Sequence, residues 1–192
     1  MMVAAVTWLV AVLLQPAPAP GTAPAHPGLE RVAVETAEQR TAWESRLARM
    51  VRTGALRVRE RRQGTVPGRQ DQWLVQLHRG VPVQGAEVWR RVEGQSLVAA
   101  EGTLFKEVDV NPVPKLTRIE IVEALAQLAP GTLGPSRPPE LIVLPTPDGR
   151  YALVYRARLF TGTALTTYYL DADTGAVVLS EEAPAAPEPA RR

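Results

Sequence analysis

The spacing of apolar positions alternates between helix and strand twice along this chain. Trp43, Leu47, Met50 and Val51 recur at the spacing of one helical stripe. Just ahead of them, Thr36-Ala37-Glu38-Gln39 has the form of a capping box, in which a Thr hydroxyl and a Gln amide satisfy N–H groups that the first turn leaves free. Gly54 marks the stop. Alternation follows: Leu56 and Val58 between arginines, then Trp73, Val75 and Leu77. Gly80 to Gly85 reads as a turn-rich connector, because Pro82 cannot donate to a central ladder and both glycines admit positive φ. Val88 to Val92 and Ser96 to Ala100 flank the hairpin signal Glu93-Gly94.

After Asn111-Pro112-Val113-Pro114 the order repeats. Thr117-Arg118-Ile119-Glu120 is a second capping box, Ile121, Val122, Leu125 and Leu128 form the expected buried stripe, and Pro130-Gly131 ends it. Strands are expected over Glu140–Leu144, Tyr151–Phe160, Leu165–Leu170 and Ala176–Leu179, with turns at Pro147-Asp148-Gly149, Thr161-Gly162 and Asp173-Thr174-Gly175. The pattern predicts an α+β fold of two small lobes, each a helix packed on an antiparallel β-sheet, since that arrangement buries one apolar face of each element. The lobes are expected at 33–108 and 117–182, with linkers at 26–32 and 109–116 and a Pro/Ala-rich tail at 183–192.

The apolar run Met1–Leu14 is too short to span a bilayer, which takes about 18 or more apolar residues. Followed by Ala23-Pro24-Ala25 ahead of His26, it predicts a signal peptide over 1–25 and a secreted or periplasmic protein, with no membrane association after cleavage. No Lys or Arg precedes the apolar run. The chain has no cysteine, which removes disulfides, thiolate metal sites and thiol nucleophiles together. A formal net charge of +2 gives no strong field. The run Arg57–Arg62 alternates at its start with Leu56 and Val58 and is expected to be a solvated strand edge rather than a nucleic-acid surface.

Catalytic chemistry finds little purchase. The two histidines are His26 and His78, and there is no H-E-x-x-H, no zinc-type ligand spacing, no nucleophile elbow and no phosphate-binding glycine motif. No catalytic residue, metal ligand or cofactor is therefore expected. Asp171, Asp173 and Gly175 have the composition of a β-turn, in which Asp side chains accept backbone N–H bonds, before that of a calcium site. Trp73 and Trp89 are packing residues before they are a ligand platform.

The stretch Val75 to Val88 resembles the signature of the fungalysin/thermolysin propeptide (FTP) domain: Gln76 in a strand, then Gly80-Val81-Pro82-Val83, the small pair Gly85-Ala86 and a returning strand at Val98–Gly102. The second half is similar to the PepSY (cystatin-like) domain that follows FTP in metalloprotease pro-regions. Its matching parts are the capped helix Thr117–Ala129, the strand Leu153–Ala157 and Tyr168-Tyr169-Leu170-Asp171-Ala172-Asp173-Thr174-Gly175-Ala176-Val177. Together these cover about 33–182. The resemblance implies a propeptide-like protein that binds a thermolysin-like zinc metalloprotease as folding chaperone or inhibitor. Because the sequence stops at Arg191-Arg192, where the protease would begin, that role is expected in trans. Two other readings stay open: a remnant pro-region with no activity of its own, and a cell-envelope interaction module with no protease partner. Gln76, Gly80, Val81, Pro82, Val83 and Gly85 are the candidate partner-binding residues.

Overall fold

The hydrogen-bond needs of one long strand set the architecture. In the computed structural model, which describes residues 26–128, 137–160 and 164–184, the elements run β1 (Leu29–Ala33), α1 (Ala37–Arg52), β2 (Leu56–Gln63), β3 (Arg69–His78), β4 (Val81–Glu93) and β5 (Ser96–Phe105), followed by α2 (Arg118–Leu128), β6 (Glu140–Pro145), β7 (Tyr151–Phe160), β8 (Ala164–Asp171) and β9 (Val177–Pro184). The segment 1–25 assigned to a signal peptide, the turns at Pro130-Gly131 and Thr161-Gly162, and residues 185–192 lie outside the described residues.

The expectation of two helix-on-sheet lobes is overturned. The described strands join into one nine-stranded mixed sheet in the order β1-β5-β4-β6-β7-β8-β9, with β3 also on β4 and β2 on β3. The join is at Val83 of β4, which pairs in parallel with Val143 of β6. Gly80–Gly85, expected to be a connector, is mostly strand: the turn is confined to Arg79 (φ 47) and Gly80 (φ 91), and His78 already faces Val81 across the hairpin. Positive φ at both central positions is the type I′ geometry, whose twist matches that of paired strands. The segment 26–32, expected to be a linker, contributes most of β1, which lies antiparallel along β5.

Between the pairs Val75–Glu87 and Leu77–Pro82, a single residue of β3 faces four of β4. Over those four, β4 swings away from β3 to reach β6, with Gly85 at φ +75 taking the bend and a site open enough to need no more than glycine's backbone freedom. The β3 residue left facing the gap is Gln76. It is buried, and its amide pairs with the Phe105 peptide: Nε2 donates to the carbonyl at 2.8 Å, and the Phe105 N–H donates to Oε1 at 2.8 Å. A side-chain amide thus replaces a missing ladder partner, as buried backbone groups require.

Strand alternation sends Leu56, Leu74 and Val88 to one face, where they pack with Leu47 of α1. In the second half Leu153, Tyr155, Ala157 and Leu159 pack with Ile121 and Leu125 of α2. Both capping boxes form: Gln39 N–H donates to the Thr36 hydroxyl at 3.2 Å, and Thr117 N–H donates to the Glu120 carboxylate at 2.7 Å. The α2 stripe is narrower than its sequence suggests. Ile121 and Leu125 are buried, but Val122 and Leu128 are exposed, because so short a helix meets the sheet along one line. No described helix is long and apolar enough to cross a membrane.

Replacing Gln76 with Leu strands the Phe105 N–H and C=O in the interior and should cost about 3 kcal/mol in urea unfolding. The exposed control Gln63→Leu should stay within about 0.5 kcal/mol. A Gln76→Leu loss below about 1 kcal/mol would mean that Phe105 has other partners. Gly102→Ala should cost more than about 3 kcal/mol in the same assay, since its Cβ would sit 2.2 Å from the Glu87 carbonyl oxygen; a near-wild-type midpoint would contradict that close approach.

Candidate functional site

The sheet face turned away from both helices carries the exposed chemistry. On β3 and β4 the residues opposite to the α1 core are Asp71, Trp73 and Val75, and Glu87, Trp89 and Arg91. They pair across the strands as Trp73–Trp89, Asp71–Arg91 and Val75–Glu87. The Arg91 guanidinium grips Asp71 with two bonds, of 2.7 and 3.0 Å, and lies 5.1 Å from the Trp89 ring centre. Arg62 covers Trp73 at 4.9 Å and pairs with Glu60 at 2.6 Å. Guanidinium planes on tryptophan faces, held by carboxylates, form a stiff amphipathic ladder.

Where β4 swings toward β6, the same face dips into a cleft of about 550 Å³. Arg57, Arg59 and Glu87 stand on one wall, and Glu140, Arg156 and Arg158 on the other. Pro82, Val83 and Gly85 line it between them. Arg59 pairs with Glu87 at 2.6 Å. Arg156 bridges the walls: it donates to Gln84 of β4 at 2.9 Å and to Glu140 of β6 at 2.6 Å. Arg57 and Arg158 have no hydrogen-bond or ion-pair partner among the described residues; their cross-strand neighbours are Val75 and Thr167.

The structure thus divides the candidate partner-binding residues. Gln76 is buried and fully bonded, Val81 and Val83 belong to the core, and Gly80 sits on the exposed hairpin turn. The four cleft arginines were not singled out from sequence as a group, although Arg57-x-Arg59 and Arg156-x-Arg158 share the spacing that puts two side chains on one strand face. Arg57–Arg62 does lie in an edge strand, β2 pairing only with β3.

The acidic turn is occupied by its own backbone. Asp171 Oδ1 accepts from the N–H groups of Asp173 at 3.0 Å and Thr174 at 2.8 Å and from the Thr174 hydroxyl at 2.9 Å, while Gly175 takes φ +73. Asp173 pairs with Lys115 at 2.7 Å, and this bond holds its carboxyl below the usual range. Among the described residues no group of three His, Asp or Glu side chains is arranged to hold a metal ion. His78 Nε2 lies 3.0 Å from the Val110 carbonyl, tying β3 to the 109–116 segment. His26 accepts from the Gly28 N–H at Nδ1, so its proton sits on Nε2, 3.1 Å from the Arg150 carbonyl.

No protein-family model matches the chain, and no curated protein matches it. Among solved structures it is similar to the Bacillus megaterium YpeB C-terminal domain, at 14% identity and a TM-score of 0.40, over 78% of this chain and 66% of that one. The chain therefore spans a little under two thirds of that neighbour.

The Arg91 bonds lower the Asp71 pKa, and the charges of Arg91 and Arg69 add to them. The sign follows: the pair's stabilisation is present above the carboxyl's unfolded value and disappears as pH falls through its lower folded value. Arg91→Gln should move the Asp71 carboxyl back toward the ordinary range near 3.8, followed by carbon NMR titration. An unchanged titration would mean that the two-bond contact is not kept in solution.

Proposed function

We propose that the chain is a non-catalytic, secreted, propeptide-like protein that binds a thermolysin-like zinc metalloprotease in trans, as folding chaperone or inhibitor. The observation that carries the reading is the helix-free sheet face, on which the Trp73–Trp89 pair is flanked by Arg62 and Arg91. Tryptophan and arginine dominate the energetic centres of protein interfaces, and here they are held rigid before binding, which lowers the entropy cost of association. The order of FTP-like and PepSY-like motifs supplies the partner class. A chaperone of this kind works by mass action: binding the folded enzyme and not its unfolded chain displaces the folding equilibrium.

The test is titration into a thermolysin-like enzyme, followed with a short chromogenic peptide, together with refolding yield of the denatured enzyme. Saturable inhibition or a raised yield is expected, and Trp73→Ala/Trp89→Ala should weaken either by about thirtyfold, the equivalent of about 2 kcal/mol. Absence of both effects against a panel of such proteases, with the protein shown folded by circular dichroism, would remove the reading.

A further inference from the structure

The cleft at the β4 swing carries more positive charge than its own carboxylates neutralise. A second hollow of about 440 Å³ shares Glu140, Arg156 and Arg158 with it and adds Arg137, so the depression continues along β7 as a groove. Five arginines line the two hollows against two glutamates, Glu87 and Glu140. Those glutamates are engaged by Arg59 and Arg156. Glu181, on the outer strand beyond Thr167, accepts from the Tyr169 hydroxyl at 3.0 Å. Arg57, Arg137 and Arg158 are left without an acidic or hydrogen-bonding partner among the described residues.

We infer that this groove binds an extended acidic peptide segment of a partner protein, whose carboxylates are taken by Arg57, Arg158 and Arg137. The inference rests on the binding-protein reading and adds the chemistry of the bound segment. Three features argue for a peptide. Unpaired guanidiniums on both walls offer forked donors that match carboxylates. Their placement along two adjoining hollows suits a run of side chains rather than one small ion. Glu87 and Glu140 stand between them, so a continuous phosphate track would meet repulsion, whereas a peptide can place neutral residues there. Arg57 and Arg59 come from β2, Arg156 and Arg158 from β7, and Arg137 from just ahead of β6, and Val83 and Gly85 of β4 line the cleft between them. Attraction between exposed charges of this kind is screened over about 8 Å at physiological ionic strength, so binding will weaken steeply with salt.

The experiment uses the full chain and a short fluorescein-labelled peptide of alternating Glu and Ser, with a Gln/Ser peptide and a single-stranded oligonucleotide of equal length as comparators, read by fluorescence anisotropy at low and physiological salt. The Glu peptide should bind and the Gln peptide should not. Arg57→Glu/Arg158→Glu should weaken binding by at least about tenfold, the equivalent of about 1.4 kcal/mol, because two charge-assisted contacts are lost and two repulsive charges replace them. The neutral pair Arg57→Gln/Arg158→Gln should fall between this and the wild type, and the distant Arg40→Glu on α1 should match the wild type; circular dichroism confirms the fold of each. Unchanged binding in both double variants, equal binding of the Gln peptide, or tighter binding of the oligonucleotide with the same losses would each overturn the inference. A wild-type protein that inhibits a protease but ignores the Glu peptide sinks this inference alone. One that binds the peptide and affects no protease sinks only the broader reading.

Discussion

The whole sheet turns on a problem of hydrogen-bond supply at the middle of β4. Its last residues pair with β3 on one side and β5 on the other, while Val83 pairs with Val143 of β6. The register with β3 breaks between Glu87 and Pro82, the stretch in which Val83 reaches β6. The solution is to let β4 leave β3 over four residues and fill the vacancy with the Gln76 amide, which offers Phe105 the donor and acceptor that a peptide group would have offered. Without that substitute, two buried backbone groups would lie unpaired at the point where the two halves of the sheet meet.

That junction also decides where polar chemistry collects. Each helix sits on the face opposite to the cleft, so the apolar residues of both halves gather under helices and the alternate residues face outward together. On the first half those outward residues are arginines, acids and two tryptophans in cross-strand register. On the second half Ile142, Leu144, Val154 and Tyr169 make a small apolar cluster beside Arg156. The helices do not cover everything: Ile119 and Leu128 of α2 and Val177 to Leu179 of the edge strand β9 remain exposed.

Legibility in the sequence followed the range of the interaction. Both capping boxes, at Thr36 and Thr117, are contacts across three residues and were visible as four-letter patterns. The Asp171 turn was visible for the same reason. The joined sheet was not, because it depends on one parallel pair between residues sixty positions apart, with no composition of its own. Repetition of helix-then-strands suggested two bodies, when it reflects two halves of one sheet. Strand β1 was hidden by the proline-rich stretch before it; its position depends on β5 and on the Glu30 carboxylate, which Arg46 and Lys106 hold. Gln76 stood out as a strand glutamine, but its task could be seen only once Phe105 was placed opposite to it.

The unpaired arginines are best understood through the same junction. On β2, β3 and β4 the other outward arginines each have an acid within reach: Arg91 has Asp71, Arg69 has Glu93, Arg62 has Glu60 and Arg59 has Glu87. Direct cross-strand spacing of about 5 Å makes the pairing easy for Asp71 with Arg91 and for Arg69 with Glu93. Arg57 faces Val75, however, and Arg158 faces Thr167, both beside the opening that β4 leaves as it changes partners. Solvation alone would keep either guanidinium charged and stable, since exposed ion pairs add little. What solvation does not account for is that guanidiniums from β2 and β7 converge on one cleft while the other outward arginines of β2, β3 and β4 are paired with acids. A surface that pairs the outward arginines of β2, β3 and β4 with acids, yet leaves Arg57 and Arg158 unpaired beside this cleft, is arranged for an anionic group that arrives from outside.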